Sequence, residues 1–397
     1  MPVYSDSETS IGVEAGTVAA LDAKIPFNRP FATGDEFGYI RKAIENLHLS
    51  GNGEFSEMCS QWLEARLGCE RALLTASCSS ALEMAMLVAG IGLGDEVIMP
   101  SFTFPTTASS AALRGAVPVF VDIREDTLNL DERLVEAAIT PRTRVIMAVH
   151  YASVACDLDA LGDIAARHGL LLIEDAAQGI SASYRQRPLG TLGDLGCISF
   201  HDTKNLTCGE GGALLVNRGD WVERAEVIQE KGTNRSQFLR GQVDKYTWIE
   251  LGSSYLMSDI SAAFLWAQIE HAEEIRERRM ASWRIYHARL ASLEQAGLLR
   301  RPTIPDTCDH NAHMYYLLLD GRDRRDRLIE RLAEQNIHAL FHYVPLHTAP
   351  AGKLYGRVAG ELPVTDRVSD SLLRLPLWVE MTEGDVERVC RAVEDAL

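Results

Sequence analysis

Asp175 and Lys204 are the residues of this chain whose surroundings most plainly suit chemistry. Asp175 follows the apolar run Leu170-Leu171-Leu172-Ile173, within Glu174-Asp175-Ala176-Ala177-Gln178. Lys204 lies in Ser199-Phe200-His201-Asp202-Thr203-Lys204-Asn205, and Gly209-Glu210-Gly211-Gly212 comes next. A lysine amine condenses with an aldehyde as a Schiff base. A carboxylate in apolar surroundings needs a cationic partner, and a protonated pyridine nitrogen is one. Together they are the two groups a pyridoxal phosphate site requires. Of the 39 Lys and Arg residues only six are lysine, so one amid apolar and glycine-rich sequence is not surface filler. Gln178 can hydrogen-bond the phenolic oxygen of such a ring, or simply start a helix.

Thr75-Ala76-Ser77-Cys78-Ser79-Ser80-Ala81-Leu82-Glu83 reads as a turn opening a helix. Small hydroxyl residues there expose backbone N–H groups at the positive end of the helix dipole, which suits a phosphate. A plain serine N-cap has the same pattern. Pro100-Ser101-Phe102-Thr103-Phe104 follows an expected strand and offers an aromatic face to a planar ring, although core packing is the commoner fate of such residues. Gly90-Ile91-Gly92-Leu93-Gly94 precedes a strand instead of following one, which is the wrong context for a dinucleotide fingerprint. The histidines include no His-Glu-x-x-His, and His342 and His347 flank a proline turn, so no metal site is expected.

These groups need a scaffold that brings them together. Apolar runs at 96–99, 117–121, 145–150, 170–173, 197–200 and 213–216 read as buried strands. Residues 79–89, 106–113, 132–138 and 158–168 read as helices between them. The alternation predicts an α/β fold, a mostly parallel sheet with helices on both faces. Ligands bind such sheets at the carboxyl ends of strands, where Asp175 and Lys204 both fall. Residues 257–293 read as a long helix or helix pair. Beyond them, strands at 314–319 and 339–343 and helices at 322–335, 366–374 and 383–396 predict a small α+β domain. The expected division is an extension over 1–24, a large α/β domain over 25–260, and a long helix with a smaller C-terminal α+β domain over 261–397.

A chain of 397 residues can bury a large core. Its 56 acidic against 39 basic residues give a net charge of −17, which argues against nucleic acid as a partner but leaves room for a small anionic substrate. No apolar run is long enough to cross a membrane. The first residues have no basic start followed by an apolar block, so no secretory signal is read there. The eight cysteines are scattered and are expected to be reduced thiols in a cytoplasmic protein.

The segments Pro100–Phe104, Glu174–Gln178 and Ser199–Asn205, in this order and spacing, resemble the DegT/DnrJ/EryC1/StrS sugar aminotransferases. The resemblance runs from Ile25-Pro26-Phe27-Asn28 to Leu375-Pro376-Leu377-Trp378. Lys231-Gly232-Thr233-Asn234-Arg235-Ser236-Gln237-Phe238, Val243-Asp244-Lys245-Tyr246-Thr247-Trp248 and Gly252-Ser253-Ser254-Tyr255-Leu256-Met257-Ser258-Asp259 are similar to the branch of dTDP-4-amino-4,6-dideoxygalactose transaminases.

The resemblance implies fold type I of the pyridoxal phosphate enzymes, with a mostly parallel seven-stranded sheet, and a homodimer with shared active sites. It implies pyridoxal 5'-phosphate as cofactor. It further implies ping-pong transfer of an amino group from L-glutamate to a dTDP-4-keto-6-deoxyhexose. By the same resemblance Lys204 carries the aldehyde and shuttles the proton, Asp175 holds the pyridine nitrogen, and Gln178 meets the phenolic oxygen. Phe104 stacks on the ring where many relatives carry Trp, and Ser79, Ser80 and Ser199 hold the phosphate. Many relatives place an asparagine of the neighbouring subunit on that phosphate; Leu256 occupies the matching position here. Arg235, Lys245, His313, His342 and His347 are candidates for an anionic sugar nucleotide, which needs cationic or N–H donors. Each reads as readily as a surface or fold-supporting residue. The alternatives are a dehydratase, whose relatives carry histidine in place of the lysine, and an aminotransferase for a 3-keto sugar nucleotide. Antibiotic-sugar and surface-polysaccharide synthesis both stay open.

Overall fold

The computed structural model describes residues 24–397; apart from Lys24, the extension expected over 1–24 lies outside the described residues. Seven strands build the large sheet: β1 (Arg71–Thr75), β2 (Glu96–Pro100), β3 (Val117–Val121), β4 (Thr143–Val149), β5 (Leu171–Asp175), β6 (Leu195–Ser199) and β7 (Gly212–Val216). Their order is β1-β7-β6-β5-β4-β2-β3. Pairings from β3 through β6 are parallel, and β7 runs antiparallel to β1 and β6.

Strands β2, β6 and β7 are buried at every position, as a sheet covered on both faces demands. Alternate residues feed two separate cores. Ile146, Leu172, Ile198 and Leu215 join one. Val145, Ile173, Cys197 and Leu214 join the other, with Met84 and Met86. Those methionines belong to α3 (Cys78–Val88). It follows α1 (Glu36–Glu45) and α2 (Glu54–Leu67) and precedes α4 (Pro105–Ala112), α5 (Glu132–Ala138), α6 (Leu158–His168) and α7 (Val222–Gln229).

The boundary expected at residue 260 falls inside a helix. Helix α8 (Asp259–Glu270) packs on α1 and α2 and buries Ala262, Ala263, Leu265 and Ile269 in the large-domain core. Helix α9 (Ala272–Arg289) bridges the two domains. Its Ile275 belongs to the large core, while Met280, Trp283 and Tyr286 belong to the small one. The small domain adds β8 (Tyr315–Leu318), α10 (Arg322–Glu334), β9 (Leu340–Phe341), β10 (Arg357–Val358), α11 (Pro363–Ser371), β11 (Leu372–Leu375) and α12 (Glu383–Ala396).

The small sheet is antiparallel, in the order β8-β11-β9. The segment expected as one helix over 366–374 therefore divides in two. Its end is the central strand β11, because ladder bonds to β8 and β9 outweigh the helix propensity of Leu and Arg.

Several ties bind the small domain to the sheet. β10 pairs in parallel with β3, adding an eighth strand to the large sheet and covering its edge. Asp122, just past β3, accepts the N–H groups of Val364 and Thr365 at 3.0 and 2.8 Å and so caps α11. Ser101, just past β2, bonds His347 Nδ1 at 2.8 Å. At the other end of the chain, Ile25 pairs with Ile337. Among the described residues, no helix is long and apolar enough to cross a membrane.

Candidate active site

A cavity of about 410 Å³ lies between the small domain and the carboxyl ends of β2, β4, β5 and β6. Asp175 stands on its floor, where β5 ends, and is 5% exposed. Thr107 Oγ1, from α4, donates to Asp175 Oδ2 at 2.8 Å, and the Ala177 N–H donates to Oδ1 at 3.3 Å. Burial raises the carboxyl above the usual aspartate range, and these donors only partly oppose it. Asp175 forms no ion pair among the described residues.

Its neighbour Glu174 is fully buried and well supplied with donors. The N–H groups of Gly190, Leu192 and Gly193 reach it at 2.8, 2.6 and 2.7 Å. His150 Nδ1 accepts the Cys156 N–H, so Nε2 carries the proton and donates to Glu174 at 2.9 Å. Burial alone would raise this carboxyl; His150 and the backbone donors outweigh it and hold the carboxyl below its ordinary range.

Lys204 sits in the turn after β6, where its N–H bonds the His201 carbonyl at 2.9 Å. The side chain lines the cavity. Burial lowers its ammonium pKa, opposed in part by Asp175. A neutral amine, the form that attacks an aldehyde, is thereby favoured.

Gln178 also lines the cavity. The Ala152 N–H donates to Gln178 Oε1 at 2.7 Å, which assigns Oε1 as the inward atom and leaves Nε2 as the donor, 3.5 Å from the Tyr343 hydroxyl. Holding that N–H in place requires two consecutive left-handed residues, Ala152 and Ser153, at φ 55° and 64°. Such backbone costs of order 1–3 kcal/mol per residue and collects at functional sites.

Ser77 and Ser79 line the cavity where α3 begins. Ser77 Oγ takes the Ser80 N–H at 3.1 Å and the Ser77 carbonyl takes that of Ala81. The N–H groups of Cys78 and Ser79 are left for a ligand. A Cβ on Gly212 would stand 2.5 Å from the Cys78 nitrogen, so only glycine lets β7 lie against this turn. Ser199 lines the same side from the end of β6. Ser80 does not line the cavity; its hydroxyl lies 3.1 Å from that of Ser77. Phe104 is on the rim and 56% exposed.

The small domain supplies the opposite wall, including His313, His342, Tyr343 and Arg374. His313 Nδ1 bonds Asn205 Oδ1 at 3.2 Å, and His342 stacks on Tyr343 with centroids 3.8 Å apart. Burial keeps both histidines neutral, with Lys204 and Arg374 acting in the same direction. They are therefore poor donors of charge to an anion.

The other sugar-nucleotide candidates lie outside this cavity. His347 is held by Ser101 and by Asp366 at 3.3 Å. Arg235 pairs with Glu230 at 3.4 Å, and Lys245 is on an exposed surface segment. Thr107 and Arg374 are site residues the sequence did not reveal. No sequence signal distinguishes Thr107 from an ordinary helix-start residue, and Arg374 fell inside an expected helix.

Pyridoxal phosphate fits these residues on one structural observation above all. Asp175 is a buried, cavity-facing carboxylate without a cation, close to a lysine favoured as the free amine. The sequence matches the DegT/DnrJ/EryC1/StrS aminotransferase family over residues 32–394. It is 32% identical over 379 residues to the spore coat polysaccharide biosynthesis protein SpsC of Bacillus subtilis, covering 94% of this chain and 96% of that one. Among solved structures, S. venezuelae DesV in complex with a ketimine intermediate is 31% identical with a TM-score of 0.85, covering 94% of this chain and 98% of that one. The aminotransferase TlmJ from Streptoalloteichus hindustanus is 29% identical with a TM-score of 0.85 and the same coverage. With this site on this fold, the chain belongs to the DegT/DnrJ/EryC1/StrS family of sugar aminotransferases, which depend on pyridoxal phosphate.

Proposed function

We propose that this protein moves an amino group from L-glutamate to the C4 ketone of a dTDP-4-keto-6-deoxyhexose such as dTDP-4-keto-6-deoxy-D-glucose, forming a dTDP-4-amino-4,6-dideoxyhexose. The observation that carries amination is an intact, half-buried Lys204 lining the same cavity as Asp175, which has no ion-pair partner among the described residues. The similarity of segments 231–238, 243–248 and 252–259 to the 4-aminating branch supports the choice of sugar. SpsC belongs to spore coat polysaccharide biosynthesis, which supports a place in surface-sugar synthesis.

Bound pyridoxal phosphate would supply an electron sink beside the reacting carbon. Asp175 would hold the pyridine nitrogen protonated, its own desolvation relieved by that cation. Gln178 Nε2 would donate to the phenolic oxygen, its amide already oriented by Ala152. The first N–H groups of α3, with Ser79 and Ser199, would hold the phosphate; Ser80 would act indirectly, by fixing the Ser77 cap. Phe104 would cover the ring. Lys204 Nζ would take the proton from the α-carbon of glutamate and deliver it in the first half-reaction, then reverse the transfer on the sugar.

A homodimer is part of this reading. The segment bearing Arg235 and Lys245 also exposes Leu239, Trp248, Ile249 and Leu251. Apolar groups clustered on one surface segment favour burial against a second copy, where those cations would reach the partner's site.

The visible spectrum of the purified protein tests the reaction. Glutamate should bleach the band of the lysine-bound cofactor, and the 4-ketosugar nucleotide should restore it; product NMR then gives the C4 configuration. A band indifferent to glutamate would sink this donor. Restoration by a 3-keto isomer alone would move the enzyme to the other branch.

A further inference from the structure

His313 and Lys204 line the same cavity. Asn205, the residue after Lys204, decides which ring nitrogen of His313 carries the proton. The Asn205 side chain meets the Asn311 carbonyl at 2.8 Å. A carbonyl only accepts, so the amide nitrogen faces it and Oδ1 is turned to His313. Oδ1 stands 3.2 Å from His313 Nδ1, which must therefore be the donor. In a neutral imidazole the other nitrogen, Nε2, then keeps a free lone pair. Among the described residues neither this Nε2 nor Lys204 Nζ has a hydrogen-bond partner.

The backbone that carries the ring is pinned on both sides. Asn311 Nδ2 donates to the carbonyls of Gln178 and Ile180 at 2.8 and 2.7 Å, and the Asn311 N–H donates to Ser153 Oγ at 3.1 Å. Arg279 donates to the carbonyls of Ala312 and His313 at 3.1 and 2.6 Å. Ala312, between these anchors, is left-handed with φ 53°, backbone strain of the kind that collects at functional sites. Arg279 is buried and forms no ion pair among the described residues, so it brings charge as well as donors. Burial above all, then Lys204, Arg279, Arg374 and His342, oppose protonation of the ring. The lone pair on Nε2 is thus kept free in a positively charged setting.

We propose that His313 is a positioning residue whose Nε2 accepts a hydrogen bond from the Lys204 amine and holds it in line for proton transfer. The inference rests on the amino-transfer reading above. A base that works by moving a proton needs an orienting partner that does not claim the proton. A carboxylate in this place would hold Lys204 as the ammonium, and a charged imidazole would repel it. A neutral lone pair orients the free amine and then steadies the ammonium once the proton has arrived. His313 itself takes up no proton. This role replaces the sugar-nucleotide contact expected for His313 from the sequence.

Nitrogen NMR of apoprotein labelled in histidine tests the contact without any cofactor, with His313→Phe identifying the resonances. Nε2 should be of the unprotonated type, and Lys204→Ala should move its signal far more than that of Nδ1. A proton on Nε2, or an Nε2 signal indifferent to Lys204→Ala, would overturn the proposal. In holoenzyme, His313→Phe should slow bleaching at saturating glutamate roughly 10–100-fold, the factor for a hydrogen bond to a charged group. Restoration by the ketosugar should slow by the same factor, because one lysine serves both half-reactions. The half-saturating concentrations of both substrates should stay almost unmoved, since neither touches His313. The isotope effect with α-deuterated glutamate should grow, because proton transfer is the step that slows. His313→Gln, whose amide oxygen can replace the lone pair, should recover part of the rate. A changed concentration dependence in one half-reaction alone would make His313 a substrate contact and overturn the proposal. Wild type that never bleaches with glutamate would refute only the amino-transfer reading, and the apoprotein spectrum would still decide the contact.

Discussion

Glu174 and Asp175 are consecutive residues on one strand, both buried, and they end in opposite electrostatic states. Strand alternation sends them to different faces of the sheet. Glu174 meets three backbone N–H groups and His150, and its carboxyl is held below the ordinary range. Asp175 meets one hydroxyl and one long N–H bond, and burial raises it. The fold thus completes one carboxylate by itself and leaves the other for a cation from outside. A buried charge fully served by protein donors marks scaffold; one left short, beside a cavity, marks a ligand site.

Replacing Glu174 with Ala should give the largest effect, because it leaves three N–H groups and His150 without an acceptor. A loss of about 3–5 kcal/mol in urea unfolding is expected. The pH dependence has a definite sign. A carboxyl with a depressed folded pKa stabilises fully above its unfolded value, about 4.3, and that contribution disappears as the pH falls through the lower folded value. Wild type should therefore lose more stability on acidification than Glu174→Ala, which keeps only the losses from other depressed carboxyls such as Glu36 and Asp126. An unfolding midpoint unmoved by the substitution would erase the contrast between the two carboxylates.

Asp175→Asn should cost about 1.5–3 kcal/mol in cofactor affinity, the range for a hydrogen bond to a charged group, read by titrating pyridoxal phosphate into apoprotein. Its effect on the apoprotein has the opposite sign to that of Glu174. A raised folded pKa means that ionising Asp175 opposes folding, so apoprotein stability from this group falls as the pH climbs from about 3.9. Asn removes that burden, and the variant apoprotein should be no less stable than wild type at neutral pH. A destabilised apo variant would show that Asp175 is scaffold after all. Thr107→Val sharpens the comparison with the smallest expected change. Losing one donor should weaken cofactor binding by about 1 kcal/mol, with a loss of similar size in urea unfolding of the apoprotein, because the buried Thr103 hydroxyl at 2.9 Å also loses its partner.

What the sequence revealed follows from how local each signal is. Asp175 and Lys204 were legible because an apolar run followed by a polar residue marks a strand end, and strand ends carry the chemistry in parallel sheets. Glu174 lay in the same quoted segment without a role, since its donors come from Gly190 to Gly193 and from His150. Arg374 was hidden for a different reason. Leu-Leu-Arg-Leu has ample helix propensity, and only the ladder to Tyr315–Leu318 makes it a strand. Helices α8 and α9 read as one helical stretch, and only packing shows that α8 joins the large core while α9 contributes to both. The loss of Arg235, Lys245 and His347 from the cavity has the same origin: a cation in a sequence does not announce its partner.

The pairing of Ile25 with Ile337, and of β10 with the edge of β3, bears on how the chain is made. A ribosome adds about 5–20 residues each second and lets early segments fold first. The sheet from β1 to β7 can assemble while the small domain is still unmade, but its β3 edge stays open until residues 357–358 emerge. Ile25 waits for a partner roughly three hundred residues behind it, a delay of roughly 15–60 s at those rates. From the emergence of β3 until residues 357–358 arrive, the nascent chain exposes an unprotected strand edge, the kind of surface that invites pairing with a neighbouring chain.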